Sequence, residues 1–259
     1  MPFAADIFYK SYTSSEKVAS PSIILLHGAG GSHLSWPPLI RRMEGYTIYA
    51  IDLPGHGRSA DQQIESIEDN YQFVHRWKES LNISPIILVG HSMGSAIAMQ
   101  WALNEPGIIA GMILLGSSAH LKVNPGLLIS LCNQETYDQA VDRIIRWSFS
   151  KQTSDKLKSM IGKRMHESSP DVMYRDFLIC NKFNISQQLN KIDIPTLIVC
   201  GELDKMTPPA ESISMVESLP FAHLEIVPGA GHMVMLEKPA ETMSLIQRFL
   251  DRIETRNSP

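Results

Sequence analysis

An α/β fold, with a mostly parallel central sheet and helices on both faces, is predicted by three observations. Short, continuous apolar runs recur at Ser22–Leu26, Tyr46–Ile51, Ile86–Val89, Met112–Leu115, Thr196–Cys200 and Leu224–Val227. Runs that are apolar on both faces suit strands buried inside a parallel sheet. Helical patterns fall between several of them, at Asp69–Leu81, Gly94–Leu103, Pro209–Leu219 and Pro239–Ile253. Strand and helix in alternation build such a sheet through right-handed crossovers. The third observation is punctuation. Three of these runs end in glycine-bearing loops, His27–Ser32, Gly90–Gly94 and Gly201–Lys205, and a fourth runs into Pro228–His232.

The alternation breaks once. From about His120 to Asn190 there is no strong strand, and segments such as Thr136–Phe149 and Asp155–Met165 read as amphipathic helices. About seventy residues is too long for a plain loop. We read 120–190 as a helical cap, inserted into an α/β core formed by residues 1–119 and 191–259. Ligands in open α/β sheets bind beyond the carboxyl ends of the strands. The insertion leaves the sheet at that edge. It carries ten Lys and Arg against seven Asp and Glu, and the rest of the chain is acidic. We read that excess as a solvated helix face.

Composition excludes several classes. At 259 residues, 44% hydrophobic and 19% charged, the chain suits one large core with an insertion. Its formal net charge of −4, without a polybasic stretch, favours neither nucleic acid nor an anionic membrane surface. Cys132, Cys180 and Cys200 form no C-x-x-C pair, and three scattered thiols fit a reducing compartment. The opening MPFAADIFYKSYTSS lacks the basic-then-apolar order of a signal peptide. The apolar runs are far shorter than the ~20 residues of a membrane span. A cytoplasmic location is the default expectation. Oligomeric state is left open.

The chemistry centres on Gly90-His91-Ser92-Met93-Gly94, which follows the run ending at Val89. The G-x-S-x-G pattern is weak by itself. Set between a buried strand and the helix Gly94–Leu103, it becomes a turn that pushes a serine out at the sheet edge, beside the free N–H groups of a helix start. A serine nucleophile needs a base, and the base needs an orienting acid. His232 is the candidate base, in a glycine-rich loop after the last apolar run. Asp204 is the candidate acid, in the loop after Thr196–Cys200, with Glu202 its competitor two residues away. The loop after the preceding strand, Gly116-Ser117-Ser118, holds no carboxylate. The order Ser92, Asp204, His232 differs from that of either protease class.

Attack on a carbonyl develops an oxyanion that needs backbone donors. Met93 N–H, next to the nucleophile, is one candidate. Ala29 N–H, from the loop after Ser22–Leu26, is the second, with Gly30 as alternative; side-chain identity does not separate them. His91 reads as a packing residue, and His27 and His56 as loop braces. No H-x-x-x-H pair or acidic cluster has ligand spacing, so neither metal nor cofactor is expected. Trp147, Phe149, Met160, Met165, Phe177 and Phe183 are candidates for an apolar wall over the site, with Gly30 and Met233 as further pocket candidates.

These segments together resemble the α/β-hydrolase superfamily. The resemblance rests on ILLHGAGGS (24–32), IDLPGHGRS (51–59), VGHSMGSAIA (89–98), IPTLIVCGELD (194–204) and VPGAGHMVMLEKP (227–239), in that order. The chain is most similar to capped, single-domain bacterial members that include carboxylesterases and carbon–carbon bond hydrolases. The resemblance implies the α/β-hydrolase fold, with nucleophile Ser92, acid Asp204, base His232 and oxyanion donors Ala29 and Met93. Haloalkane dehalogenases and epoxide hydrolases of the superfamily carry aspartate at the position of Ser92. Proline iminopeptidases carry a Gly-Gly-x-W-G-G signature, which is absent here. Carbon–carbon hydrolases often show a proline in the oxyanion loop and Asn before the serine, where this chain has Ala29-Gly30-Gly31 and His91. The expected activity is carboxylic-ester hydrolysis on a small acyl substrate through an acyl-enzyme. Lactone, thioester or carbon–carbon cleavage and perhydrolysis use the same triad. A ligand-binding sensor is the reading from outside enzymes.

Overall fold

The computed structural model describes residues 2–13 and 19–257. Among these, eight strands form one sheet: β1 (Phe3–Ala4), β2 (Ile7–Thr13), β3 (Ala19–Leu26), β4 (Tyr46–Ile51), β5 (Ile86–His91), β6 (Ile109–Leu115), β7 (Thr196–Gly201) and β8 (Ala222–Val227). Their order across the sheet is β1-β2-β4-β3-β5-β6-β7-β8. β3 to β8 pair in parallel, and the β1–β2 and β2–β4 pairings are antiparallel. All six apolar runs read from the sequence lie within strands. β1 and β2 were not read as strands. Of the opening stretch 1–15, residues 1, 14 and 15 lie outside the described residues.

The core helices are α1 (Pro38–Arg41), α2 (Ile67–Ser80), α3 (Met93–Asn104), α8 (Pro209–Ser218), α9 (Val234–Glu237) and α10 (Pro239–Asn257). Four more, α4 (Pro125–Leu131), α5 (Tyr137–Ser148), α6 (Asp155–His166) and α7 (Pro170–Lys182), fill the stretch between β6 and β7. α4 and α7 were missed in the sequence. α4 is barely two turns long. α7 carries Asp176 on its apolar stripe, which interrupts the periodicity. Ser66 and Ser154 cap α2 and α6, each accepting an N–H with its side chain.

Strand alternation divides the core into two layers. Ile24, Leu26, Leu88 and Leu114 pack with Trp77, Ile97 and Trp101 of α2 and α3. Ile23, Leu25, Ile87 and Val89 face the other way, toward Ile40 of α1 and Ile246 and Leu250 of α10. Fully burying one such aliphatic side chain contributes about 1.5–3 kcal/mol. A third cluster, including Leu127, Tyr137, Ile144, Ile161 and Phe177, is centred on α4–α7. The helical stretch therefore has an apolar centre of its own.

The closest approach in the core sets the position of the nucleophile turn. A Cβ on Gly94 would sit 2.0 Å from the Leu26 carbonyl oxygen, and one on Gly90 would sit 2.4 Å from the Gly94 carbonyl oxygen. Only hydrogen at these positions lets α3 start against the end of β3. Gly94→Ala should therefore cost more than the ~1–3 kcal/mol of ordinary overpacking, because the clash is with backbone. Urea unfolding measures this, and an unchanged midpoint would show that α3 is free to shift.

Candidate functional site

Ser92 stands between β5 and α3 with φ 52° and ψ −115°. For a residue with a Cβ this is a strained conformation, of order 1–3 kcal/mol, held only because its surroundings over-determine it. Here the determinants are the Gly94–Leu26 contact and a hydrogen bond from Ser92 N–H to the Leu115 carbonyl at 3.0 Å. The turn exposes Ser92 to a cavity of about 760 Å³, also lined by His232, His91, Gly28 and Ala29.

The loops after β7 and β8 meet beside it. His232 Nδ1 lies 2.8 Å from Asp204 Oδ2, with both side chains buried. Asp204 is held in turn. Its Oδ1 accepts Met206 N–H at 2.8 Å and Thr207 N–H at 2.9 Å, and its Oδ2 accepts the Thr207 hydroxyl at 2.8 Å. Burial disfavours the Asp204 charge. The His232 imidazole and the Thr207 donors outweigh that, so its pKa lies below the usual carboxylate value. Glu202, the competing acid, turns away and accepts Gly229 N–H at 2.9 Å. Gly116, at the end of β6, leaves room for the imidazole: a Cβ there would meet His232 Nδ1 at 2.9 Å. Thr207 was missed in the sequence, where a threonine three residues past the acid carries no distinguishing signal.

The structure separates the two oxyanion-loop candidates. Gly30 N–H is already committed to Asp176 Oδ2, at 2.9 Å. Ala29 N–H and Met93 N–H have no hydrogen-bond partner among the described residues. Ala29 lies on the cavity wall, and Met93 is the first residue of α3, where N–H groups lack helical acceptors.

The expected apolar wall is partly displaced. Met165, Phe177, Met233 and Gly30 line the cavity. Trp147, Phe149 and Met160 do not. Phe149 is buried in the cluster inside the helical stretch, Trp147 packs on the edge of that cluster under Arg143, and Met160 is 46% exposed. Phe183 belongs to the core beneath α7. Ile144, Ile161 and Val172 take the missing places. The cause is helical phase: Trp147 and Met160 lie off the buried stripes of α5 and α6 that carry Ile144 and Ile161. Among the described residues no group of three or more His, Cys, Asp or Glu is placed to hold a metal ion. Nor is any helix among them long and apolar enough to cross a membrane.

Two further histidines brace the site. The His91 ring lies 4.8 Å from that of His232, and its Nε2 is 3.1 Å from the His232 carbonyl oxygen. His27 Nε2 accepts Leu53 N–H at 3.0 Å, which ties the loop after β3 to that after β4. Burial, then the neighbouring His232, pushes the His91 pKa down to about 3. Burial, then His56, pushes His27 down to about 4. In the unfolded chain each imidazole takes up a proton near pH 6.5. Between pH 6.5 and 4 the unfolded state therefore binds more protons, and stability is lost as the pH is lowered, by up to ~1.4 kcal/mol per unit for each imidazole. His91→Gln should flatten this loss in urea unfolding followed from pH 7 to 4. An unaltered slope would show that His91 does not titrate in this way.

Comparison with known proteins agrees with this fold. The model of the family Hydrolase_4 (serine aminopeptidase, S33) matches residues 18–239. The chain is 26% identical to the sn-1-specific diacylglycerol lipase ABHD11 of Mus musculus, over 89% of this chain and 81% of that one. Two solved structures are similarly related. Est816, described as an N-acyl homoserine lactone degrading enzyme, is 25% identical with a TM-score of 0.82, covering 94% of this chain and 96% of its own. A thermophilic esterase is 26% identical with a TM-score of 0.81, covering 95% and 98%. A serine turn in an eight-stranded, mostly parallel sheet and a family match over most of the length lead to one assignment: the chain belongs to the Hydrolase_4 (serine aminopeptidase, S33) family and is a hydrolase of the α/β-hydrolase fold.

Proposed function

We propose that the protein is a carboxylic-ester hydrolase working through an acyl-enzyme, with Ser92 as nucleophile, His232 as base and Asp204 as the acid that orients it. The observation that carries this reading is the buried Asp204–His232 pair, which opens on the same cavity as the strained Ser92. His232 Nδ1–H donates to Asp204, which leaves Nε2 as the basic nitrogen. His232 takes the Ser92 proton as the oxygen attacks the ester carbonyl. The oxyanion is held by Ala29 N–H and Met93 N–H, groups that have no other partner to give up. His232 then protonates the departing alkoxide, and water repeats the sequence to release the acid.

Residues 120–190 act as the cap in this reading. Ile144, Ile161, Met165, Val172 and Phe177 give the cavity an apolar side suited to an acyl chain. A lactone is the second substrate class, because a relative of similar length and fold is described as degrading one. A cyclic ester passes through the same tetrahedral oxyanion, and the leaving alkoxide stays tethered to the acyl group.

Ser92→Ala should reduce hydrolysis of p-nitrophenyl butyrate to background while the thermal midpoint is unchanged, because alanine keeps the Cβ and with it the backbone strain. Full activity in that variant would end the mechanism. Met165→Trp fills the apolar side of the cavity. It should lower kcat/KM for octanoate and longer esters by about 10-fold or more, in line with the ~1–3 kcal/mol of a lost pocket contact, while acetate hydrolysis stays within about threefold. An unchanged chain-length profile would remove this wall from substrate selection.

A further inference from the structure

Gly30 is gripped by the helical segment at both ends of its backbone. Its N–H donates to Asp176 Oδ2 at 2.9 Å, and its carbonyl oxygen accepts the Ser168 hydroxyl at 3.1 Å. Asp176 lies in the middle of α7 and Ser168 just before it, so both partners come from outside the sheet. Gly30 itself has φ +62°, and a Cβ there would lie 2.3 Å from Met173 Cε, so α7 packs directly on the loop.

Asp176 is buried, 2% exposed, and does not line the cavity. The same Oδ2 that holds Gly30 lies 2.7 Å from His56 Nε2, and His56 Nδ1 lies 3.0 Å from the Pro54 carbonyl oxygen. Both ring nitrogens face oxygen acceptors, so only the doubly protonated imidazolium satisfies both. The carboxylate is thereby neutralised. An unpaired negative charge beside the loop would oppose an oxyanion forming there; a carboxylate paired with imidazolium can hold the loop without that penalty. Arg175 adds a clamp from the same helix, donating to Asp61 Oδ1 at 2.8 Å and to the Gln62 carbonyl at 3.1 Å.

We infer that Asp176 is a positioning residue for ester hydrolysis: by fixing the Ala29–Gly30 peptide it aims Ala29 N–H at the oxyanion, so that the helical segment completes the oxyanion site as well as walling the acyl pocket. This inference rests on the ester-hydrolase reading of the site. Asp176 touches no substrate. It acts through the peptide next to the donor, and misalignment of a donor is felt most when charge develops.

The test compares wild type, Asp176→Ala and Asp176→Asn by kcat and KM on p-nitrophenyl butyrate, and by inhibition with an alkyl trifluoromethyl ketone. The ketone adds Ser92 to form a tetrahedral oxyanion adduct. Asp176→Ala should lower kcat about 10- to 100-fold, below or at the loss of a whole donor, with KM within about threefold. Its Ki for the ketone should rise by the same factor as kcat falls. Asp176→Asn keeps an oxygen for Gly30 N–H and should recover part of the loss. Should Asp176→Ala fail to fold, Ser168→Ala releases only the Gly30 carbonyl and should show a smaller change in the same sense. A raised KM with unchanged kcat and Ki would overturn the inference and make Asp176 a seat for the cap alone. Active wild type with indifferent variants also overturns it and leaves the reading of the site intact. A wild type that hydrolyses no ester overturns both.

Discussion

The contact between the start of α3 and the end of β3 is the constraint on which the site depends. Gly94 has no side chain, and none would fit, because the Leu26 carbonyl occupies the space. This approach forces the chain to turn within a few residues, and Ser92 carries the cost as a positive φ. It also brings the N-terminus of α3 beside the loop that leaves β3. Ala29 on the cavity wall and Met93 next to Ser92, from segments more than sixty residues apart, thus become the two proposed donors. A larger residue at position 94 would separate the nucleophile from one of its proposed donors.

The helical segment between β6 and β7 is fastened to this arrangement on two sides. Asp176 reaches the loop after β3 and His56. On the opposite side, Glu237 of α9 accepts Gly231 N–H and Ser150 N–H, each at 2.9 Å, and the Thr153 hydroxyl. One carboxylate secures the loop that carries Ala29, and the other secures the loop that carries His232. Both are buried or half-buried and both satisfy several donors, the condition under which an interior carboxylate is tolerated. The apolar cluster of α4–α7 supplies the area, and these polar contacts supply the register.

Electrostatics in the site follow from burial. The imidazoles of His27 and His91 face neighbouring imidazoles and little water, so they remain neutral props. Asp204 keeps its charge because three donors from Met206 and Thr207 surround it along with His232. His56 differs from the other props: burial works against its charge, but Asp176 raises its pKa. Identical side chains thus take different protonation states according to the partner each meets.

Sequence alone was enough to determine the architecture, the parallel strands, the α2, α3, α8 and α10 helices, and the identity of the serine, acid and base candidates. Those features are local: a buried strand is a run of apolar residues, and a turn in which glycine is required is written in the chain. What it left open was decided by contacts between distant segments. Ala29 is separated from Gly30 only by the engagement of Gly30 with Asp176, 146 positions away. Trp147 and Met160 fall off the cavity because helical phase and packing, not hydrophobicity, select the wall. Asp176 did leave a trace, as a carboxylate on the apolar stripe Val172-Met173-Phe177-Cys180 of α7. The trace shows that the acid needs a buried partner. Only the tertiary structure names it, because hydrogen bonding joins residues by proximity and chain order carries no record of which loops meet.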